Sequence, residues 1–198
     1  MRIAAMTVVL VALLTTPSMA QEYTLELNAG EDLVQGRFDY RRMMAKADLV
    51  LGLGGFYHRD APAKFSAYEA LVGVGSGSMW PAMLFDVGIK ALIGNVEDEY
   101  SGGDLAGAAF YVAGRLFLDE WVPYIPPTLF FDASYIPGAL AMQDTNEFMQ
   151  LRGGVALRLM EAAAIQVGCQ YDWVDFAVDD LDRNVDDVAL FFGLRLSF

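Results

Sequence analysis

The sequence predicts an all-β protein, a transmembrane antiparallel up-and-down β-barrel of about ten strands. First, apolar and polar residues alternate with a period of two in ten short segments. Second, no run of 18 apolar residues follows residue 20, which excludes spanning helices. Third, large apolar and aromatic residues share one face of these segments, while the other face carries full charges.

The composition of the chain excludes some classes of protein and of partner. The formal net charge is −13, so no nucleic acid is expected as a partner, because phosphate binding needs a basic surface. Aromatic residues make up 13% of the chain, which excludes a disordered protein. Cys169 is the single cysteine, and it therefore forms no intrachain disulfide.

Residues 1–20 have the pattern of a secretory signal peptide. Arg2 supplies a positive start, residues 3–14 are almost entirely apolar, and small residues precede a cleavage site between Ala20 and Gln21. The alternative is an N-terminal membrane anchor, which would need about 20 apolar residues. We therefore expect residues 21–198 to form the mature barrel.

Alternation is clearest at the C-terminus. One face of the last predicted strand carries Val188, Leu190, Phe192, Leu194, Leu196 and Phe198, and the other carries Asp187, Ala189, Phe191, Gly193, Arg195 and Ser197. Strong strands are also predicted around 165–174, 149–159, 128–135 and 84–91. Weaker alternation covers 23–28, 33–41, 48–58, 65–75 and 104–117.

A membrane barrel and a soluble barrel both produce such alternation, with opposite faces turned inward. Aromatic residues near the predicted strand ends are typical of the girdles of a membrane barrel; they are Tyr57, Trp80, Trp121, Tyr124, Tyr135 and Trp173. The soluble alternative is a periplasmic barrel that carries an apolar ligand.

Two classes of connection between strands predict the orientation of the barrel in the membrane. Longer, polar connections are expected at 94–103, 136–146 and 177–186, and short ones at 76–81, 118–123 and 160–163. Outer-membrane barrels have short periplasmic turns and longer outer loops, so both chain ends are expected in the periplasm. An eight-stranded barrel, with 21–42 as a periplasmic extension, is the alternative to ten strands.

Three segments resemble the YfaZ-like family of Gram-negative outer-membrane proteins. They are Leu25-Glu-Leu-Asn28, Phe130-Phe-Asp-Ala-Ser-Tyr-Ile-Pro137 and the ending Gly193-Leu-Arg-Leu-Ser-Phe198. The resemblance covers essentially the whole mature chain and depends on the order and spacing of these segments. It implies an outer-membrane barrel and no particular activity.

The last strand also carries a candidate assembly signal. Gly193, Leu196 and Phe198 resemble the C-terminal pattern by which the barrel-assembly machinery recognises its clients. The alternative is an ordinary last strand. We therefore expect this machinery to be a partner during biogenesis.

Charges of both signs are predicted to face the lumen. The acidic members are Glu26, Asp39, Glu69, Asp86, Asp132 and Asp172, and the basic members are Arg37, Lys90, Arg115, Arg152, Arg158 and Arg195. Side chains nearly fill the interior of a barrel of this size, and unpaired charges there are costly. We therefore expect a charge-plugged lumen, with a narrow solute conduit as the alternative.

Acidic residues concentrate at 97–104 and 175–187. We interpret both segments as solvated outer loops, because their spacing is not that of a calcium loop. The alternative is that divalent ions bridge these loops to lipopolysaccharide phosphates. The sequence predicts no metal site and no cofactor.

One enzymatic alternative comes from His58 and Ser66, which lie in the same predicted hairpin. A lipid acyl hydrolase would need His58 within hydrogen-bond reach of Ser66, with an acid orienting the imidazole. Otherwise His58 is a surface residue beside a loop.

We expect a non-enzymatic envelope protein of the Gram-negative outer membrane, in contact with membrane lipid and lipopolysaccharide. The sequence leaves its oligomeric state open.

Overall fold

The computed structural model describes residues 21–44, 46–59, 63–76, 82–98, 102–119, 126–178 and 181–198. The predicted signal peptide, residues 1–20, lies outside these ranges, as do Trp80, Trp121 and Tyr124. Among the described residues, no helix is both long enough and apolar enough to cross a membrane.

The described residues form ten long strands and one two-residue strand. They are β1 Gln21–Ala29, β2 Leu33–Arg42, β3 Asp48–His58, β4 Ala63–Gly75, β5 Met83–Asp98, β6 Gly102–Phe117, β7 Pro127–Ile136, β8 Ala141–Met142, β9 Thr145–Met160, β10 Ala163–Val178 and β11 Leu181–Ser197. A short 3₁₀ helix, Gly138–Leu140, precedes β8, which pairs with β6.

The ten long strands form a closed antiparallel barrel. Each strand pairs with its neighbours along the chain, β7 pairs with β9, and β1 pairs with β11 to close the cylinder. This confirms the predicted all-β, ten-stranded barrel. The eight-stranded alternative is wrong, because β1 and β2 are both part of the wall.

The wall has an apolar outer face. On β11, Leu190 is 73% exposed and Phe192 is 61% exposed, whereas Ala189 and Phe191, which alternate with them, are buried in the lumen. Other strands show the same polarity; their exposed apolar residues include Val34, Tyr68, Val72, Ile93, Phe110, Phe131, Leu151 and Val167. The alternation in the sequence therefore assigned the two faces of the wall correctly.

Aromatic residues at the strand ends follow the prediction in part. Tyr57 and Tyr135 are the penultimate residues of β3 and β7, and both are exposed. Trp173 lies well inside β10, because that strand continues to Val178.

The predicted long acidic loops are wrong. β5 continues to Asp98 and β6 begins at Gly102, while β10 and β11 are separated by residues 179–180 alone. The sequence pattern was misleading because the acidic residues alternate with buried apolar ones. Phe176 and Val185 lie on the inner face within the predicted 175–187 loop, and backbone pairing continues past them.

The two ends of the barrel are named as follows. The termini end is the one at which β1 begins and β11 finishes, and the hairpin end is the opposite one. A layer of buried apolar side chains fills the lumen near the hairpin end; it contains Leu33, Phe56, Phe65, Ala67, Leu92, Val96, Leu105, Ala109, Ile136, Phe148, Val174, Phe176, Val185, Ala189 and Phe191. Leu140 and Ala141, after β7, pack against this apolar layer. Most of the predicted charges lie beneath it, towards the termini end, whereas Asp172 contacts His58, whose ring packs against Phe56 and Phe65 of the layer.

Candidate functional site in the barrel lumen

Glu26 is the centre of the largest charge cluster. It lies on the inner face of β1 and accepts hydrogen bonds from Arg115 Nη2 at 3.1 Å and Arg152 Nη2 at 3.0 Å. Arg195 Nε lies 3.8 Å from the same carboxylate. Arg152 also lies 3.5 Å from Asp132. These residues come from five strands, so their charges meet only because the barrel is closed.

Aromatic rings support the guanidinium of Arg152. Its Cζ lies 5.3 Å from the ring centre of Phe130 and 5.0 Å from that of Phe191. Such cation–π contacts strengthen when the cation is desolvated, and the Arg152 side chain is only 2% exposed. The arginine is therefore held by carboxylates and by rings together.

A second cluster surrounds Tyr111 on β6. Arg37 donates to Asp39 at 2.9 Å and to the Tyr111 hydroxyl at 2.8 Å. Lys90 Nζ lies 2.9 Å from Glu69 and 5.2 Å from the centre of the Tyr111 ring. Four of the predicted lumen charges are thus paired within this cluster.

A third cluster contains residues that the sequence prediction missed. Arg41 donates to Asp48 at 3.0 Å and to Asp86 at 2.6 Å. Arg41 is two residues beyond Asp39 on the same face of β2, so the alternation contained the signal that places it in the lumen.

His58 lies between two carboxylates near the hairpin end. Its Nδ1 is 2.6 Å from Asp187 Oδ2, and its Nε2 is 3.0 Å from Asp172 Oδ2. The His58 and Asp172 side chains are fully buried. The interpretation of His58 as a surface histidine is therefore wrong. Asp187 lies both on the polar face of the last predicted strand and in the acidic segment 175–187, and it is not among the predicted lumen charges.

Glutamine side chains connect His58 to the middle of the lumen. Gln150 accepts a hydrogen bond from Lys90 Nζ at 3.0 Å and donates to Asp172 Oδ1 at 2.9 Å. Gln170 donates to Asp172 Oδ2 at 2.7 Å. Polar contacts thus continue from Glu69, through Lys90 and Gln150, to His58.

Most of the predicted lumen charges meet one another, and three do not. Asp86 and Asp172 take partners outside the predicted set, Arg41 and His58. Arg158 lies at the termini end, where it pairs with Asp119 at 3.2 Å with both side chains partly exposed.

The hydrolase alternative does not fit the geometry. His58 points into the lumen, whereas Ser66 lies on the outer face of β4 between the inward-facing Phe65 and Ala67. In the register of β3 and β4, Ser66 pairs with the outward-facing Tyr57. The two side chains are therefore on opposite faces of the same wall, and the hydrogen bond that catalysis requires is not formed.

The lumen contains little free space. A cavity of about 30 Å³ lies among the charges around Glu26, Arg37 and Arg152, which is room for one or two water molecules. A wider vestibule of about 190 Å³ lies at the termini end, beside Arg158 and Arg195. Within the described ranges, no cluster of His, Cys, Asp and Glu side chains is arranged to hold a metal ion.

The candidate assembly residues lie where β11 meets β1. Phe198 is 70% exposed, and its backbone exchanges two hydrogen bonds with Tyr23. Gly193 is opposite Asn28, and a Cβ at Gly193 would collide with the Asn28 amide. This amide accepts from Gln166 at 2.6 Å and donates to Gln35 at 3.1 Å. Gly193 is thus also explained by packing.

Comparisons with known proteins find similar structures at low identity. No family model and no curated protein matches the chain. A structure from work on in-meso crystallization of membrane proteins aligns at 10% identity and a TM-score of 0.44, over 90% of this chain and 83% of the other. Neisserial surface protein A aligns at 11% identity and a TM-score of 0.32, over 90% of this chain and 94% of the other. The NanC porin aligns at 7% identity and a TM-score of 0.42, over 89% of this chain and 99% of the other. The fold assignment stands on the strand pairing of this chain.

Proposed function

We propose that this protein is an integral outer-membrane barrel with a closed lumen and a non-enzymatic, structural role in the cell envelope. The observation that carries this proposal is the inverted polarity of the wall. Apolar side chains are exposed on the outside, while paired charges are buried inside. A soluble barrel has the opposite arrangement.

Two layers support a closed lumen rather than a conduit. The apolar layer fills the hairpin end, and ion pairs fill the region beneath it. A selective pore would present charges of one sign along a continuous path, whereas acids and bases are interleaved here. The cavity of about 30 Å³ is also too small for the apolar ligand of a soluble carrier.

Location and partners are part of the same proposal. The signal pattern at 1–20 supports export, and the ending Gly193-Leu-Arg-Leu-Ser-Phe198 supports recognition by the barrel-assembly machinery. Membrane lipid and lipopolysaccharide would then surround the wall. Membership of the YfaZ-like family remains a proposal that rests on the sequence resemblance.

Planar-bilayer recording tests the closed lumen. Purified, refolded protein at neutral pH is expected to insert without conductance steps, because the buried side chains of the apolar layer fill the hairpin end. Arg158→Ala widens only the vestibule and is expected to behave the same way. Discrete conductance steps from the wild-type protein would contradict the proposal and favour the conduit.

Fractionation tests the membrane location separately. The protein is expected in the outer-membrane fraction, and unheated samples in detergent are expected to migrate differently from boiled ones. Recovery as a soluble periplasmic monomer would contradict the location, whatever the bilayer recordings show.

A further inference from the structure

We propose that His58 is a protonation-dependent latch that ties β3 to β10 and β11 across the lumen. The proposal rests on the closed lumen proposed above and extends it, since it names the group that fastens the hairpin end. His58 is the only histidine of the chain, so its behaviour can be measured without interference from another imidazole.

The two carboxylates of the latch need a cation between them. Asp172 and Asp187 are direct partners in the register between β10 and β11, and the Asp187 side chain is only 13% exposed. Like charges directly opposite each other on adjacent strands are destabilising. His58 separates them, with one ring nitrogen facing each carboxylate.

Protonation of the ring follows from this geometry. A neutral imidazole has one N–H donor, and its other nitrogen is an acceptor that would face a carboxylate oxygen. A doubly protonated ring donates to both aspartates, and such charge-assisted hydrogen bonds are the strong ones. The contacts of 2.6 and 3.0 Å therefore belong to the imidazolium form.

The other contacts of His58 that the described residues make are with two aromatic rings and an amide. Phe56 on the same strand and Phe65 on β4 meet the ring edge to face, at 5.8 Å between ring centres. Gln170 on β10 has its amide nitrogen 3.5 Å from Nε2 and directs its hydrogen bond to Asp172. Among the described residues in contact with the ring, Asp172 and Asp187 are thus the titratable partners.

The latch spans the lumen rather than a neighbouring pair of strands. Between β3 and β10 the wall contains β2, β1 and β11, so the contact of His58 with Asp172 joins separated parts of the barrel. When pH rises and the ring loses a proton, one ring nitrogen no longer carries a hydrogen, although it still faces a carboxylate. The two aspartates then repel each other beside the apolar layer, and the hairpin end is loosened.

Nitrogen NMR of the single imidazole tests the protonation state directly. Full-length mature protein without a polyhistidine tag, refolded in detergent micelles, is labelled with ¹⁵N at histidine. At pH 7 both ring nitrogens are expected to show the shifts of protonated nitrogens. A neutral single tautomer at pH 7 would overturn the latch.

The pH dependence of stability tests its consequence. Urea unfolding of wild-type protein and His58→Gln is compared from pH 6 to pH 9. The wild type is expected to lose stability as pH rises, by up to about tenfold in the unfolding constant per pH unit, the limit for release of one proton. His58→Gln is expected to lack this loss, and parallel profiles would overturn the proposal.

A second variant keeps the test independent of whether His58→Gln folds. Asp187→Asn removes one carboxylate and is expected to move the pH-dependent loss to lower pH, because the imidazolium has one charged partner fewer. An unchanged profile would contradict the latch. Conductance of wild-type protein at pH 7 would instead refute the closed lumen, so the two failures are distinguishable.

Discussion

Glu26 and Arg195 stand directly opposite each other where the first and last strands of the barrel pair. The carboxylate that faces Arg195 at 3.8 Å also accepts hydrogen bonds from Arg115 and Arg152. One side chain at the seam between the first and last strands therefore also pairs with arginines from two other strands across the lumen.

Replacing Glu26 by Gln is expected to destabilise the barrel by about 3–5 kcal/mol, because buried arginines lose their shared carboxylate. The measurement is the urea midpoint of protein refolded into lipid vesicles. The matched control is Arg158→Gln, which breaks a partly exposed pair with Asp119 and is expected to cost about 0–1 kcal/mol. Equal effects of the two variants would show that the Glu26 cluster contributes no more to the free energy of unfolding than the partly exposed pair does.

A small residue is required on β10 where the Phe191 side chain packs against the inner face of the wall. A Cβ at Gly168 would collide with the backbone oxygen of Gly153 and lie 2.7 Å from Phe191 Cζ, whereas a Cβ at Gly36 would meet nothing nearer than Leu27 Cδ2 at 3.7 Å. Gly168→Ala is expected to destabilise the protein by about 1–3 kcal/mol through overpacking. Gly36→Ala is expected to leave the unfolding midpoint nearly unchanged, and a larger loss in Gly36→Ala than in Gly168→Ala would contradict this packing.

Assembly and stability can be separated at the C-terminus. The Phe198 side chain is exposed, and its structural contribution is made by the backbone bonds to Tyr23. Phe198→Ala is expected to lower the yield in the outer membrane while refolding in detergent is unaffected. Phe192→Ala, on the same face of β11, is the control and is expected to retain its yield; an equal loss in both variants would refute a specific signal.

Ser66 is expected to have no catalytic role. Because it faces outward while His58 faces the lumen, Ser66→Ala should leave membrane lipid composition as in the wild type. Lipid mass spectrometry of strains that express either protein makes this comparison. Accumulation of intact acyl lipids only in the variant would restore the hydrolase hypothesis.

The wall of the barrel was predictable because alternation is a local property of a strand. Leu190 and Phe191 are adjacent in the chain and end on opposite faces, as the period of two requires. The ends of the strands were harder to predict. Acidic residues such as Asp175 and Asp186 resembled loop residues, although they pair within the β10–β11 ladder.

Pairing within the lumen was predicted only in general terms. The inner-face positions of Glu26, Arg152 and Lys90 followed from alternation, and a charge in a narrow barrel needs a partner. The choice of partner did not follow, because Glu26 and Arg152 are 126 positions apart in the chain. His58 was misassigned for the same reason, since both of its carboxylates belong to the last two strands.

By itself the sequence determined that ten two-faced strands separate apolar from charged side chains. Only the tertiary structure decided which charges meet, that an apolar layer fills the hairpin end, and that His58 lies between Asp172 and Asp187. The physical reason is that alternation depends on neighbours along one strand. Contacts across the lumen depend instead on the register and closure of all ten strands.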